Sequence, residues 1–159
     1  MVRRTLVSLI AVLGVACSGG TSTPPASPAA SARPAAEQAY VAVLDKHWQA
    51  YSDAYAKPPC AKWDSNGLPV QFDACLQGSQ DYLRVTQAFL NELKAVSVPA
   101  RMAEQDANLK TALQKTVNSL VGAIKALNDK NGPAFDSIAQ DIADAFNAGR
   151  TAYRELIKP

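Results

Sequence analysis

Apolar residues recur at intervals of three and four along four stretches of this chain, and this spacing constrains the fold more than any other feature. Because an α-helix has about 3.6 residues per turn, the spacing places one apolar stripe along one side of a helix. The clearest stretch runs from Met102 to Leu127, and its stripe is interrupted only by Asp106. The others run from Val41 to Tyr55, Leu76 to Leu93 and Phe135 to Leu156. The sequence therefore predicts four amphipathic helices.

The predicted fold class is all-α. No run of residues alternates between apolar and polar over a useful length, and no Asn-Gly or Asp-Gly turn joins two β-branched runs. Pro99 and Pro133 stand where the third and fourth helices would begin, a position that suits proline. The last two connections are short, which favours antiparallel neighbours. We therefore expect a four-helix up-down bundle.

The connection between the first two helices is longer than a bundle turn requires. It runs from Lys57 to Asp73, and Cys60 and Cys75 bracket most of it. A disulfide between these cysteines would stabilise the fold by roughly 3 kcal/mol, because it closes a loop in the unfolded chain. We expect a disulfide-closed loop between helices 1 and 2 that folds back over the end of the bundle.

The first 17 residues have the pattern of a secretory signal. Arg3 and Arg4 are followed by an almost wholly apolar run from Thr5 to Ala16, and Cys17 comes next. A membrane-spanning helix needs about 20 apolar residues, so this run is too short to serve as one. Residues 1–16 are therefore predicted to be a signal peptide.

The end of that segment, from Leu13 to Ser18, reads Leu-Gly-Val-Ala-Cys-Ser and resembles the lipobox of bacterial lipoproteins. The resemblance implies cleavage before Cys17, a lipid on that cysteine, and attachment to the extracytoplasmic side of a bacterial membrane in the cell envelope. Gly14 stands where the family prefers leucine, which leaves ordinary secretory cleavage after Ala16 or Ser18 as the alternative. Cysteine parity favours lipidation, since it leaves Cys60 and Cys75 as an even pair among three cysteines.

The lipid-bearing cysteine is followed by a segment that cannot build a core. Residues 17–35 are rich in serine, proline and alanine, a composition typical of a tether. The helical domain is predicted to occupy residues 36–159.

The charge balance argues against a nucleic-acid partner. The full chain has 16 lysines and arginines and 14 acids, and removing the signal peptide takes away Arg3 and Arg4. The mature chain is then balanced at 14 to 14, and its basic residues are scattered rather than clustered. Binding to nucleic acid depends on clustered positive charge, so we expect none.

The chain has few residues that could support catalysis or bind a metal. His47 is the single histidine, and no Glu-x-x-His pair, zinc-type cluster, phosphate-binding glycine loop or Gly-x-Ser-x-Gly motif is present. We therefore expect no catalytic residues, no bound metal and no cofactor, and we do not expect an enzyme. Asp106 allows two interpretations: a hydrogen-bonded acid inside the bundle, or a solvated one in the first turns of helix three.

Aromatic side chains form the most suggestive group. Trp48, Tyr51 and Tyr55 follow one face of helix one towards the loop that carries Trp63 and Phe72. These five are the candidate binding residues, because aromatic side chains dominate ligand and partner sites. The alternative is that they pack as core beneath the loop.

Three functions are compatible with this pattern. The first is a non-catalytic interaction or binding module at the cell envelope that contacts another envelope protein. The second is a carrier for a small apolar ligand, and the third is a passive structural lipoprotein. A large exposed apolar area would favour the first, an enclosed cavity the second, and neither feature the third.

Overall fold

A computed structural model of the protein describes residues 33–56, 60 and 62–158. Four helices contain most of these residues: α1 (Ala35–Ala56), α2 (Phe72–Ala95), α3 (Ala103–Asn128) and α4 (Gly132–Leu156). The described residues include no strand, only one isolated bridge between Trp63 and Pro69. The predictions of an all-α fold and of four helices are confirmed.

The predicted signal peptide, Cys17 and the tether up to residue 32 lie outside the described residues. None of the four described helices is long and apolar enough to cross a membrane.

Two prolines lie at helix starts as the sequence predicts, and an asparagine that the sequence analysis did not select caps the last helix. Pro99 precedes a single 3-10 turn that leads into α3. Asn131 caps α4, because its side chain accepts a hydrogen bond of 3.1 Å from the backbone N–H of Ala134. Pro133 follows in the first turn, where a missing N–H costs nothing.

The apolar stripes meet in one core that has two parts. Each of α1, α2 and α3 packs against the helix that follows it in the chain, and α1 also touches α4. The larger cluster contains Tyr51, Phe89 and Leu113, and the smaller one contains Cys75, Leu127 and Phe135. Burying one such leucine or phenylalanine side chain contributes about 1.5–3 kcal/mol, so these stripes supply most of the stabilisation.

Polar pairs connect the start of α1 to the start of α3. The Tyr40 hydroxyl donates a hydrogen bond of 2.7 Å to Asp106, which also forms an ion pair of 2.9 Å with Lys110. Glu37 accepts two hydrogen bonds from the guanidinium of Arg101, and these hold the pKa of its carboxyl below the usual range. Asp106 thus combines both interpretations, since it lies in the first turn of α3 and is also buried and hydrogen-bonded.

The loop after α1 is crosslinked as predicted. Cys60 and Cys75 form a disulfide with their Cα atoms 5.0 Å apart. Cys75 is fully buried in α2, so the bridge joins the loop to the core. Asp64 organises the following turn, because its carboxylate accepts hydrogen bonds from the backbone N–H groups of Asn66 and Leu68. These bonds lower the pKa of Asp64.

The tip of the loop rests directly on the start of α4. Gly67 has a φ of +71°, a left-handed conformation that favours glycine. A Cβ atom added to Gly132 would lie 2.0 Å from the carbonyl oxygen of Gly67. Only glycine permits this backbone contact, and the contact fixes the loop against the start of α4.

We predict that Gly132→Ala destabilises the protein by about 1–3 kcal/mol, the usual range for overpacking. The added methyl would meet a backbone oxygen, which cannot rotate away as a side chain could. Gly149→Ala is the matched control inside the same helix, where the new Cβ would lie at ordinary contact distance, 3.5 Å from Ala112. The control should be neutral, or stabilising by up to about 1 kcal/mol through helix propensity.

Urea denaturation followed by circular dichroism measures both free energies of unfolding. Equal effects of the two substitutions would show that the loop does not rest on α4 in solution.

Candidate ligand-binding cavity

A cavity of about 460 Å³ lies where the two parts of the core meet. All four helices and the crosslinked loop contribute to its walls. The lining residues are Ala54, Tyr55, Ala56, Cys60, Trp63, Gly78, Ser79, Tyr82, Leu120, Phe135, Ala139 and Ile142. The cavity opens to solvent on one side, because Ser79, Tyr82, Leu120 and Phe135 are buried whereas its other lining residues are partly or fully exposed.

Helical spacing explains how these residues come to face the cavity. Phe135, Ala139 and Ile142 lie on α4 at intervals of four and three, and Gly78 and Tyr82 lie one turn apart on α2. Where α2 and α4 pass the cavity, Gly78 has no side chain and Ala139 has only a methyl group. The space therefore arises from small residues set between large ones along the apolar stripes.

Aromatic rings around the cavity are held by other rings. Tyr55 stacks on Phe146 with centroids 3.8 Å apart, and it lies 6.2 Å from Tyr82. Trp63 lies against Phe135 with centroids 5.3 Å apart. Trp63 is 38% exposed, whereas Phe135 is buried, so Trp63 stands at the rim and Phe135 inside.

Polar groups near the cavity are few. The Ser79 hydroxyl donates a hydrogen bond of 2.9 Å to the carbonyl of Cys75. The buried Tyr82 hydroxyl makes no hydrogen bond within the described part of the chain. Burial, and secondarily the nearby Tyr51 hydroxyl, raise the pKa of Tyr82 well above its usual range. Tyr51 itself is paired with Thr116 at 3.3 Å.

The structure brings two of the five candidate binding residues to this cavity. Tyr55 and Trp63 line it. Tyr51 is fully buried in the larger core cluster, and Trp48 stacks on Tyr153 of α4 with centroids 4.0 Å apart. Phe72, the first residue of α2, is half-buried and packs against the smaller cluster around Cys75.

Sequence reasoning did not select the residues that α4 contributes. Phe135, Ala139 and Ile142 belong to an apolar stripe or border it, and nothing local distinguishes them from core residues. Tyr82 lies within the apolar stretch from Leu76 to Leu93, so it too has the pattern of a core residue. The contribution of α4 becomes visible only when the helices are packed.

His47 is partly buried and takes part in a contact between α1 and α2. Its ring stacks on Phe89 with centroids 5.4 Å apart, and it is hydrogen-bonded to Glu92, which also pairs with Lys46 at 2.7 Å. These partners lower the pKa of Glu92, with Lys46 contributing most. Across residues 33–56, 60 and 62–158, no group of three histidine, cysteine or acidic side chains could hold a metal ion.

Comparison with protein-family models, curated proteins and solved structures found no match to this chain. The geometry of the cavity is therefore the basis on which a function is proposed.

We predict opposite effects for two tyrosine-to-phenylalanine substitutions. Tyr82→Phe removes a buried hydroxyl without a hydrogen-bond partner, so the free energy of unfolding should stay the same or rise by up to about 1 kcal/mol. Tyr51→Phe is the control, because it makes the same chemical change but removes the hydrogen bond to Thr116. It should lower the free energy of unfolding by about 1 kcal/mol. Urea denaturation measures the free energy of unfolding of each variant. Equal destabilisation would mean that the Tyr82 hydroxyl is paired in solution.

Proposed function

We propose that this protein is a non-catalytic binding protein of the bacterial cell envelope that holds a small apolar ligand in the cavity beneath the Cys60–Cys75 loop. The cavity is the single observation that carries this proposal. Its walls are mostly apolar and aromatic, and its volume of about 460 Å³ falls within the roughly 300–1,000 Å³ that is typical of small-molecule sites.

The character of the walls supports the same function. Ligand sites are mostly apolar with a few polar groups, and they are largely formed before the ligand arrives. Here the disulfide and the contact of Gly67 with Gly132 hold the loop in place. A preformed wall reduces the entropy that binding would otherwise lose.

The surface supports a small ligand over a broad protein contact. Among the described residues, the exposed large apolar side chains are Trp63, Val70, Val121 and Ile157. They come from three separate parts of the chain: the crosslinked loop, α3 and the end of α4. Protein-docking surfaces are usually larger continuous apolar patches, so the cavity is the better candidate site.

We also propose that the four helices run up-down-up-down. The connections of residues 96–102 and 129–131 are short, which favours antiparallel neighbours. In that arrangement α1 and α3 start at the same end of the bundle, in accord with the contacts of Tyr40 with Asp106 and of Glu37 with Arg101. Arg33 donates hydrogen bonds to the carbonyls of Ile157 and Lys158, in accord with α4 ending beside the start of α1.

Membrane attachment is proposed to run through a lipid on Cys17. The lipobox-like segment supports this, and two acyl chains give durable anchoring at about 0.8 kcal/mol per buried CH₂. We predict that Cys17→Ser abolishes the lipid increment in the intact mass of protein purified from its native envelope. The paired change of Cys60→Ser with Cys75→Ser should keep the increment. An unmodified wild-type mass would refute the anchor.

The proposed site can be tested with N-phenyl-1-naphthylamine, an uncharged dye that fluoresces in apolar surroundings. We predict saturable binding to the full chain carrying Cys17→Ser, which cannot be lipidated, after its disulfide has been verified by thiol titration. Ala139→Leu would place a larger side chain in the cavity and should weaken binding at least about tenfold. The control is Ala143→Leu at a partly exposed position of the same helix that does not line the cavity, and this variant should bind the dye normally.

Thermal denaturation distinguishes a filled cavity from a disrupted fold. Ala139→Leu should keep the wild-type melting temperature or raise it, because filling a void is commonly stabilising. Dye binding that is absent from the wild type, or that is unaffected by Ala139→Leu, would refute the cavity as the ligand site.

A further inference from the structure

We infer that the ligand of this cavity is an uncharged molecule that carries an aromatic ring. This inference rests on the proposed function and adds the chemical class of the ligand. Two properties of the cavity carry it: the lining residues lack charge, and aromatic rings recur around the walls.

The first property excludes a charged ligand group inside the cavity. None of the described lining residues is Asp, Glu, Lys, Arg or His, and all are alanine, glycine, serine, cysteine, aliphatic or aromatic. An ion that leaves water for such a site loses its hydration and meets no opposite charge, which is strongly unfavourable. Any charged group on the ligand would have to remain outside in solvent.

The polar groups near the cavity also favour a neutral ligand. The proton of the Ser79 hydroxyl is already donated to the Cys75 carbonyl. The Tyr82 hydroxyl stays protonated, since burial raises its pKa. Neither group can neutralise a charged ligand.

The second property, the aromatic rings in the walls, favours a ligand with an aromatic ring over a saturated one. Tyr55 and Tyr82 form one ring pair at the wall, and Trp63 and Phe135 form another. Aromatic pairs attract each other beyond the effect of area burial, because the negative face of one ring meets the positive edge of the next. A saturated ligand of the same size would bury equal area without gaining this interaction.

Neighbouring rings hold the aromatic side chains of the wall in place, which favours a ring-bearing ligand further. Phe146 stacks on Tyr55, and Phe135 is buried beside Trp63. Their positions therefore do not have to be fixed at the moment of binding. A flat ligand ring can add to an arrangement of rings that already exists.

Aromatic walls can also hold a quaternary ammonium ion through its attraction to the ring faces. Such sites are cages that surround a small cation closely, whereas this cavity has about 460 Å³ and walls that include small residues such as Gly78 and Ala139. A neutral ring compound therefore fits the geometry better, and the cation becomes one arm of the test.

Four competitors with one two-ring skeleton separate these possibilities. They are 2-naphthol, decahydro-2-naphthol, naphthalene-2-sulfonate and 2-naphthyltrimethylammonium. Each displaces bound N-phenyl-1-naphthylamine from the full chain carrying Cys17→Ser, and Ala139→Leu reports displacement that occurs outside the cavity. The measured quantity is the concentration that halves the dye fluorescence.

We expect 2-naphthol to compete best. Its saturated counterpart should need about two- to tenfold more, the factor expected for one lost aromatic contact. Both charged compounds should need at least about tenfold more, because either their charge is buried unpaired or their rings must withdraw from the walls to keep the charge in solvent.

Two kinds of failure remain distinguishable. If the dye binds in the cavity but a charged or saturated competitor matches 2-naphthol, the ligand class is wrong and the proposed function stands. If the dye does not bind, or Ala139→Leu leaves its binding intact, the proposed function and this inference both fall.

Discussion

Burial of four apolar stripes against one another is the constraint on which the rest of this structure depends. Each helix alone would expose its stripe to water, and in proteins most of the stability of a helix comes from packing of such a stripe rather than from helix propensity. The leucine and aromatic side chains of α1 to α4 become solvent-free only when the helices share a core. The helix ends, the crosslinked loop and the cavity all take their positions from that packing.

Different contacts stabilise the two ends of the domain. At the start of α1, specific polar pairs such as Tyr40 with Asp106 close the end of the core. Around the end of α1, the chain instead uses a disulfide and a glycine-to-glycine backbone contact to hold a loop in place. The loop covers the smaller core cluster, and the cavity remains between this cluster and the larger one. A structural bridge thereby also becomes part of a candidate site, since Cys60 is one of its lining residues.

The cavity follows from small residues at positions where large ones would complete the core. Gly78 on α2 and Ala139 on α4 leave space between the ring pairs. A glycine inside a helix costs about 1 kcal/mol relative to alanine, so the open space comes with a loss of stability. An open, mostly apolar pocket bordered by aromatic rings is typical of a small-molecule site.

Local chemistry predicted the elements of this protein well. The three-and-four spacing of apolar residues indicated four helices, Pro99 and Pro133 marked two of the helix starts, and cysteine parity indicated the Cys60–Cys75 bridge. Each of these signals depends on neighbours along the chain or on a simple count. The sequence alone is also what suggests a lipid on Cys17, which stays a prediction.

Only the tertiary structure decided which residues of the apolar stripes line the cavity and which are buried in the core. Tyr51 and Tyr55 lie one turn apart on the same helix, yet Tyr51 is buried in the core and Tyr55 lines the cavity. Both rings contact Tyr82 and Phe146, but Tyr51 also contacts Phe89 on α2 and Thr116 on α3. Asp106 is a second case that the local sequence leaves open. The hydroxyl that hydrogen-bonds its buried carboxylate belongs to Tyr40, 66 positions away. The period of a helix determines which side is apolar, but the shape of the space beside it depends on residues distant in sequence.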